Sequence, residues 1–268
     1  MLHLLEVENL NVRFRTSTGM VNAVNDISFY LDEGEIVGLV GESGCGKTMS
    51  QLAVMQLVPE PGETTGRVLF EGRNLLQLPP RSKAMCDIRG KKISMIFQEP
   101  AASLNPVLKI GTQITEMLEL HLGMNRRQAK NHAIELLTRA GIQEAEERMN
   151  DYPHQFSGGM LQRVMIAIAL SCKPRILIAD EPTSSLDAPI QAQILELLKE
   201  LVEQSNTAMM FVSHDLDLVA RYAERVYVMY AGQIVEEGNC RDVFDAPCHP
   251  YTIGLLEKNL YVRSSSQA

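Results

Sequence analysis

The chain opens with alternating apolar and polar residues, Leu5-Glu6-Val7-Glu8-Asn9-Leu10-Asn11-Val12, the period of a strand with one buried face. A second run, Asp26-Ile27-Ser28-Phe29-Tyr30-Leu31, ends at Asp32-Glu33-Gly34 and predicts an antiparallel neighbour. Glu35-Ile36-Val37-Gly38-Leu39-Val40 is apolar almost throughout, as a strand buried on both faces requires. Shorter strand-like runs follow at Arg67-Val68-Leu69-Phe70 and at Lys92-Ile93-Ser94-Met95-Ile96-Phe97. From about residue 111 the period lengthens to that of a helix. Asn125 is the expected N-cap of a helix over 126–140, with Ala133, Ile134 and Leu137 on one stripe and Gly141 as the stop. Strands return at Arg175-Ile176-Leu177-Ile178-Ala179 and Ala208-Met209-Met210-Phe211-Val212. Between them lies a helix expected to turn Ile194, Leu197, Leu198 and Leu201 to one face. A hairpin should join Val226-Tyr227-Val228-Met229 to Gln233-Ile234-Val235 through Ala231-Gly232, and the polar Ser264-Ser265-Ser266-Gln267-Ala268 tail should be disordered. Strand and helix alternation predicts an α/β fold with parallel pairing.

A length of 268 residues with 45% hydrophobic residues is enough for one large α/β unit carrying an insertion. The expected division is a core of residues 1–97 and 165–235, a helical insertion over 98–164, and a short C-terminal segment, 236–268. A net charge of -8 with no strongly basic stretch argues against a dedicated nucleic-acid binder. Five cysteines, Cys45, Cys86, Cys172, Cys240 and Cys248, show no disulfide rhythm, which suits a reducing cytoplasm. Cys240 and Cys248-His249 match no common metal-site spacing, so ordinary thiols are expected there. No N-terminal signal segment and no apolar run near 18 residues is present, so a membrane role is expected to pass through a partner.

Chemistry enters at Gly41-Glu42-Ser43-Gly44-Cys45-Gly46-Lys47-Thr48, which reads G-x-x-x-x-G-K-[ST] between a strand-like and a helix-like run. Such a loop turns backbone N–H groups toward phosphate oxygens at a helix N-terminus, with Lys47 for the β and γ phosphates and Thr48 for Mg²⁺. Cys45 beside Lys47 at that terminus is expected to favour the thiolate, so that alkylation should block the site. Asp180 and Glu181 end a strand and can divide two tasks, Asp180 holding Mg²⁺ through its water shell and Glu181 polarising an attacking water. Gln98 and His214, each after a strand, are candidates for Mg²⁺ or the attacking water and for the γ-phosphate. Ser157-Gly158-Gly159 precede another helix-like run and form a second candidate anion site. Phe14 is the candidate for stacking on adenine.

These residues, in this order, resemble the ATP-binding cassette ATPases. The nucleotide loop is Gly41 to Thr48 and the Q-loop glutamine is Gln98. The signature is Phe156-Ser157-Gly158-Gly159-Met160, with Phe156 and Met160 departing from its commonest form. Asp180-Glu181 match the Walker B pair, Ser185-Leu186-Asp187 the D-loop, and His214 the switch histidine. The resemblance implies a RecA-like P-loop core with an antiparallel β-subdomain and an inserted α-helical signature subdomain. It implies ATP and Mg²⁺ as cofactors, with Asp187 at the nucleotide and a head-to-tail dimer holding ATP at its seam. Phe97-Gln98-Glu99-Pro100, Ser103-Leu104-Asn105-Pro106, the run from Ser157 through Arg163, and His249-Pro250-Tyr251-Thr252 narrow the likeness to ATPases of oligopeptide, dipeptide and nickel importers. That group implies a site at the cytoplasmic face of the inner membrane and two transmembrane permease subunits, docked near Glu99, Ala102 and Leu104. It also implies an extracytoplasmic solute-binding protein and a second ATPase, a related chain rather than a second copy by the habit of the group. Peptides and nickel chelates are alternative cargoes, and a nucleic-acid-directed cassette ATPase is the rival class.

Overall fold

The structure is a computed structural model that describes residues 3–17 and 19–265. In chain order the elements begin β1 (Leu5–Thr16), β2 (Gly19–Leu31), β3 (Ile36–Val40), α1 (Lys47–Val54), β4 (Gly62–Phe70), β5 (Arg73–Asn74) and α2 (Lys83–Cys86). Next come β6 (Ile93–Ile96), α3 (Pro100–Ser103), α4 (Ile110–Leu122), α5 (Arg126–Arg139), α6 (Ala145–Arg148), α7 (Gly158–Leu170), β7 (Ile176–Asp180) and α8 (Ala188–Ser205). The chain closes with β8 (Ala208–Ser213), α9 (Leu216–Tyr222), β9 (Arg225–Tyr230), β10 (Gln233–Asn239), α10 (Cys240–Asp245) and α11 (Pro250–Ser265). Ser264 and Ser265, expected in a disordered tail, close α11, and residues 266–268 of that tail lie outside the described residues.

Two compact units emerge, one of residues 1–85 with 208–268 and one of residues 86–207. In the first, an antiparallel sheet runs in the order β2-β1-β4-β5. A second set of strands runs β10-β9-β3-β8, with β3 parallel to both β8 and β9. Neighbours on both sides explain why every residue of β3 is buried and why its sequence lacks alternation. Ala231 and Gly232 both have positive φ, 46° and 84°, the turn that matches the twist of the β9–β10 hairpin.

A part-buried ion pair ties this unit together. Arg225 donates from Nε to Glu35 Oε1 at 2.8 Å and from Nη2 to Glu35 Oε2 at 2.9 Å, and its guanidinium lies 3.8 Å over the Tyr30 ring. A fork-to-fork pair of this kind fixes direction as well as charge. Burial works against the charged guanidinium, but its bonds to Glu35 and Tyr227 prevail and raise its pKa.

In the second unit β6 and β7 pair in parallel and the helices α3 to α8 complete the packing. For α5 the expected cap and stop hold, while its buried stripe is Ala129, Ala133, Leu136 and Leu137, with Ile134 half-buried at its margin. Asn125 accepts the N–H of Gln128 at 3.0 Å, Gln128 Oε1 accepts the N–H of Asn125 at 3.1 Å, and Gly141 follows with φ 79°. For α8 the buried stripe is Ile194, Leu195, Leu198 and Val202, while Leu197 and Leu201 are half-buried at its margin. The stripe is therefore rotated toward residues 195 and 202 from the expected face, because both faces of this helix carry aliphatic residues and packing chooses between them.

Candidate nucleotide site

The phosphate loop is built by the turn from β3 into α1. Gly46 has φ 109°, and a Cβ placed there would lie 2.3 Å from the Ala23 carbonyl oxygen. At Gly41 a Cβ would meet the Met229 carbonyl oxygen at 2.2 Å. Glycine is thus required by both backbone angle and space. The first turn of α1 carries no acidic side chain, which leaves the positive end of the helix open to an anion. Lys47 is only 5% exposed, and its ammonium donates to the carbonyls of Gly41 at 2.7 Å and Glu42 at 3.0 Å. Ser43, Gly44 and Thr48 are exposed on the loop and the helix start.

Cys45 corrects the sequence expectation. Its thiol is buried, and burial raises its pKa despite the nearby Lys47 ammonium, which pulls the other way. The thiol form prevails, and the side chain points into protein rather than toward solvent. Proximity in sequence to a lysine and a helix terminus was a sound cue to charge but carried no information about solvent access.

Gly41, Glu42 and Ser43 line a cleft of about 460 Å³ with His214, Leu216, Leu255 and Lys258. His214 is exposed there, between the end of β8 and the start of α9. Phe14 does not line this cleft; it sits on the first unit's antiparallel sheet, opposite Val21 and Gly62, with its ring edge over Gly62. Leu255, Lys258 and Tyr251, whose hydroxyl accepts the N–H of Glu42, were not picked out from sequence as loop residues. The HPYT segment marked the region, yet a contact made across 209 positions has no local sequence signature.

The second unit gathers the acidic and signature residues. Asp180 ends β7 and is 3% exposed, a buried carboxylate at a strand terminus. Glu181 follows with φ 46°, a left-handed backbone that an ordinary residue holds at a cost, of the kind that clusters at working sites. Gln98 Nε2 donates to Glu181 Oε2 at 2.9 Å, so two residues 83 positions apart, chosen from sequence on separate grounds, are in contact. Ser157 caps α7, its hydroxyl accepting the N–H of Met160 at 3.4 Å. A Cβ on Gly159 would stand 3.1 Å from Ile190, and one on Gly158 3.6 Å from Leu186, so the signature glycines admit the D-loop side. Asp187 sits exposed at the start of α8 without a side-chain capping bond. In the segment expected to dock a partner, Glu99 and Ala102 are exposed, but Leu104 is buried and packs inward; Val107, 75% exposed, is the outward apolar residue.

The donors proposed for Mg²⁺, the Thr48 hydroxyl, the Gln98 amide and the Asp180 carboxylate, are hard oxygen ligands suited to that ion. Among the described residues no group of three or more His, Cys, Asp or Glu side chains gathers as a metal cage. A sparse donor set is what Mg²⁺ uses when it is shared with phosphates.

Comparison with known proteins agrees with this geometry. The family model described as ABC transporter matches residues 24–184. The oligopeptide transport ATP-binding protein OppD of Bacillus subtilis is 50% identical over 98% of this chain and 74% of its own length. The dipeptide transport ATP-binding protein DppD of Lactococcus lactis is 49% identical over 98% of this chain and 75% of its own. The ATP-binding cassette MJ0796, solved as a dimer in a post-hydrolysis state with ADP and Pi, superposes with a TM-score of 0.78 at 28% identity, covering 88% of this chain and 99% of that one. With the family model matching more than half of the chain and relatives about half identical along nearly all of it, this chain belongs to the ABC transporter family, as an ATP-binding, ATP-hydrolysing cassette.

Proposed function

We propose that the chain is the ATP-hydrolysing subunit of a bacterial importer of di- and oligopeptides, working at the cytoplasmic face of the inner membrane. The observation that carries this reading is 50% identity across 98% of the chain with a protein named for oligopeptide transport. The similar relatives named for oligopeptides and dipeptides favour peptides over nickel as cargo. No described helix is long and apolar enough to cross a membrane. Two transmembrane permease subunits are therefore proposed as partners, reached through the exposed Glu99, Ala102 and Val107, and a solute-binding protein acts through them.

In this reading the loop N–H groups between Ser43 and Thr48 take the phosphates, and Lys47 exchanges its two carbonyl partners for β- and γ-phosphate oxygens. Thr48, Gln98 and Asp180 are the residues that would hold Mg²⁺, which would supply charge neutralisation at the phosphates. Glu181 orients and polarises the attacking water, Gln98 holds the Glu181 carboxylate through its amide, and His214 meets the γ-phosphate. Phe14 stacks on adenine. Ser157, Gly158, Gly159 and Asp187 close on the ATP of a second cassette, a related ATPase or a second copy. Support for that shared site comes from the dimeric state of the solved relative.

The test is ATP hydrolysis by the chain reconstituted with its permease, partner ATPase and solute-binding protein in vesicles. Turnover stimulated by binding protein plus one peptide is the expected result. Stimulation by a nickel chelate alone, or by nucleic acid without membrane partners, would overturn the peptide-import reading.

A further inference from the structure

The segment beyond β10 has no role in the function proposed above, yet α11 brings two side chains to the phosphate loop within the first compact unit. Tyr251, in the first turn of α11, accepts the backbone N–H of Glu42 at 3.0 Å, and its ring rests against Tyr230 with centroids 4.3 Å apart. Lys258 Nζ lies 3.1 Å from Glu42 Oε1 and lines the same cleft as Gly41, Ser43 and His214. The start of the helix is itself anchored. Glu236 accepts the N–H of Cys248 at 2.7 Å and of His249 at 3.1 Å, and His249 Nδ1 accepts the N–H of Tyr251 at 3.1 Å.

Glu42 is an awkward residue for its position, because a carboxylate in the second place of a phosphate loop repels the polyanion that the loop must admit. Lys258 is of opposite charge and stands against that carboxylate. The pair is well exposed, 71% at Lys258 and 53% at Glu42, so it adds little to folding stability; its consequence is the cancelled charge at the mouth of the cleft. Tyr251 acts on the same residue through the backbone, giving the N–H of Glu42 a fixed partner and so fixing where the loop begins.

We propose that α11 supplies two residues to the nucleotide site: Tyr251, which positions the phosphate loop at Glu42, and Lys258, which neutralises Glu42 so that ATP can enter. Both act on nucleotide affinity ahead of the chemical step.

The experiment measures the dissociation constant for ATP and the steady-state kcat and KM of the full chain in four forms. Tyr251→Phe deletes one hydroxyl and keeps the ring on Tyr230; it should weaken ATP binding about two- to tenfold, the worth of one hydrogen bond. Lys258→Gln should weaken it about two- to fivefold, more at low salt, with the change falling on KM more than on kcat. The decisive form is Glu42→Gln with Lys258→Gln, which removes the charge that Lys258 is there to cancel and should recover most of the lost affinity. Wild-type affinity in both single variants overturns the proposal. A double variant that binds no better than Lys258→Gln overturns the neutralising role and shows that Lys258 anchors the helix or meets phosphate directly. Urea midpoints of all forms separate loss of affinity from loss of fold, and the exposed Lys258 is the position least prone to a folding defect.

Discussion

Gly41 and Gly46 hold the phosphate loop in a backbone that admits no side chain, each with a carbonyl oxygen where a Cβ would stand. The glycines of the phosphate loop were legible because only glycine tolerates what Gly41 and Gly46 must do. The acidic pair was legible from a strand ending in Asp180-Glu181, but the bond from Gln98 to Glu181 required the fold. Replacing Glu181 with Gln should leave ATP binding intact and lower turnover by about 10² to 10⁴, the usual worth of a positioned base, and single-turnover hydrolysis beside nucleotide titration checks both halves. Wild-type turnover would assign the water to another group. Cys45 was misread because charge was visible in the sequence and burial was not. A buried thiol with a raised pKa stays protonated at neutral pH, so iodoacetamide should modify it more slowly than a free cysteine. The rate should climb only as pH passes above the ordinary thiol range. A fast reaction at pH 7 would show that the thiolate is populated after all.

Elements differ in the same way. A helix with local start and stop signals, such as α5 with its Asn125–Gln128 box and Gly141, is written in a few adjacent residues. The face that α8 buries is settled by what packs against it, and its two aliphatic margins left the choice to tertiary contact. The start of α11 depends on Glu236 of β10, a partner outside the helix altogether. Burial alone would raise the Glu236 carboxyl, but the nearby Thr252 hydroxyl and the N–H groups of Cys248 and His249 hold its pKa below the usual carboxylate value. A depressed carboxyl stabilises the fold above its unfolded pKa, about 4.3, and loses that contribution as pH falls through the folded value. Wild type should therefore exceed Glu236→Gln in thermal stability at pH 7, with the gap closing below about pH 4. A gap that persists unchanged into acid would show that Glu236 does not act through its charge.

For the whole molecule, order of motifs outweighed any one of them. A lone glutamine or histidine after a strand says little, but six motifs in sequence across the chain reached the family that the comparisons show. What no single chain spells out is its complement. In the proposed shared site each cassette holds one half of two composite centres, so specific activity should rise when the partner ATPase is titrated in, and Ser157→Arg in this chain should silence the centre that the partner's loop completes. Activity per chain that is independent of concentration and of partner would dismiss the shared site. The bond between Tyr251 and the loop at Glu42, 209 positions upstream, carries a different kind of consequence. Because the phosphate loop precedes its tether by 209 positions, a nascent chain makes the loop well before it makes the helix that holds it at Glu42. If that tether sets the grip on fuel, a fragment released short of α11 would compete poorly for nucleotide rather than idle as a futile hydrolase.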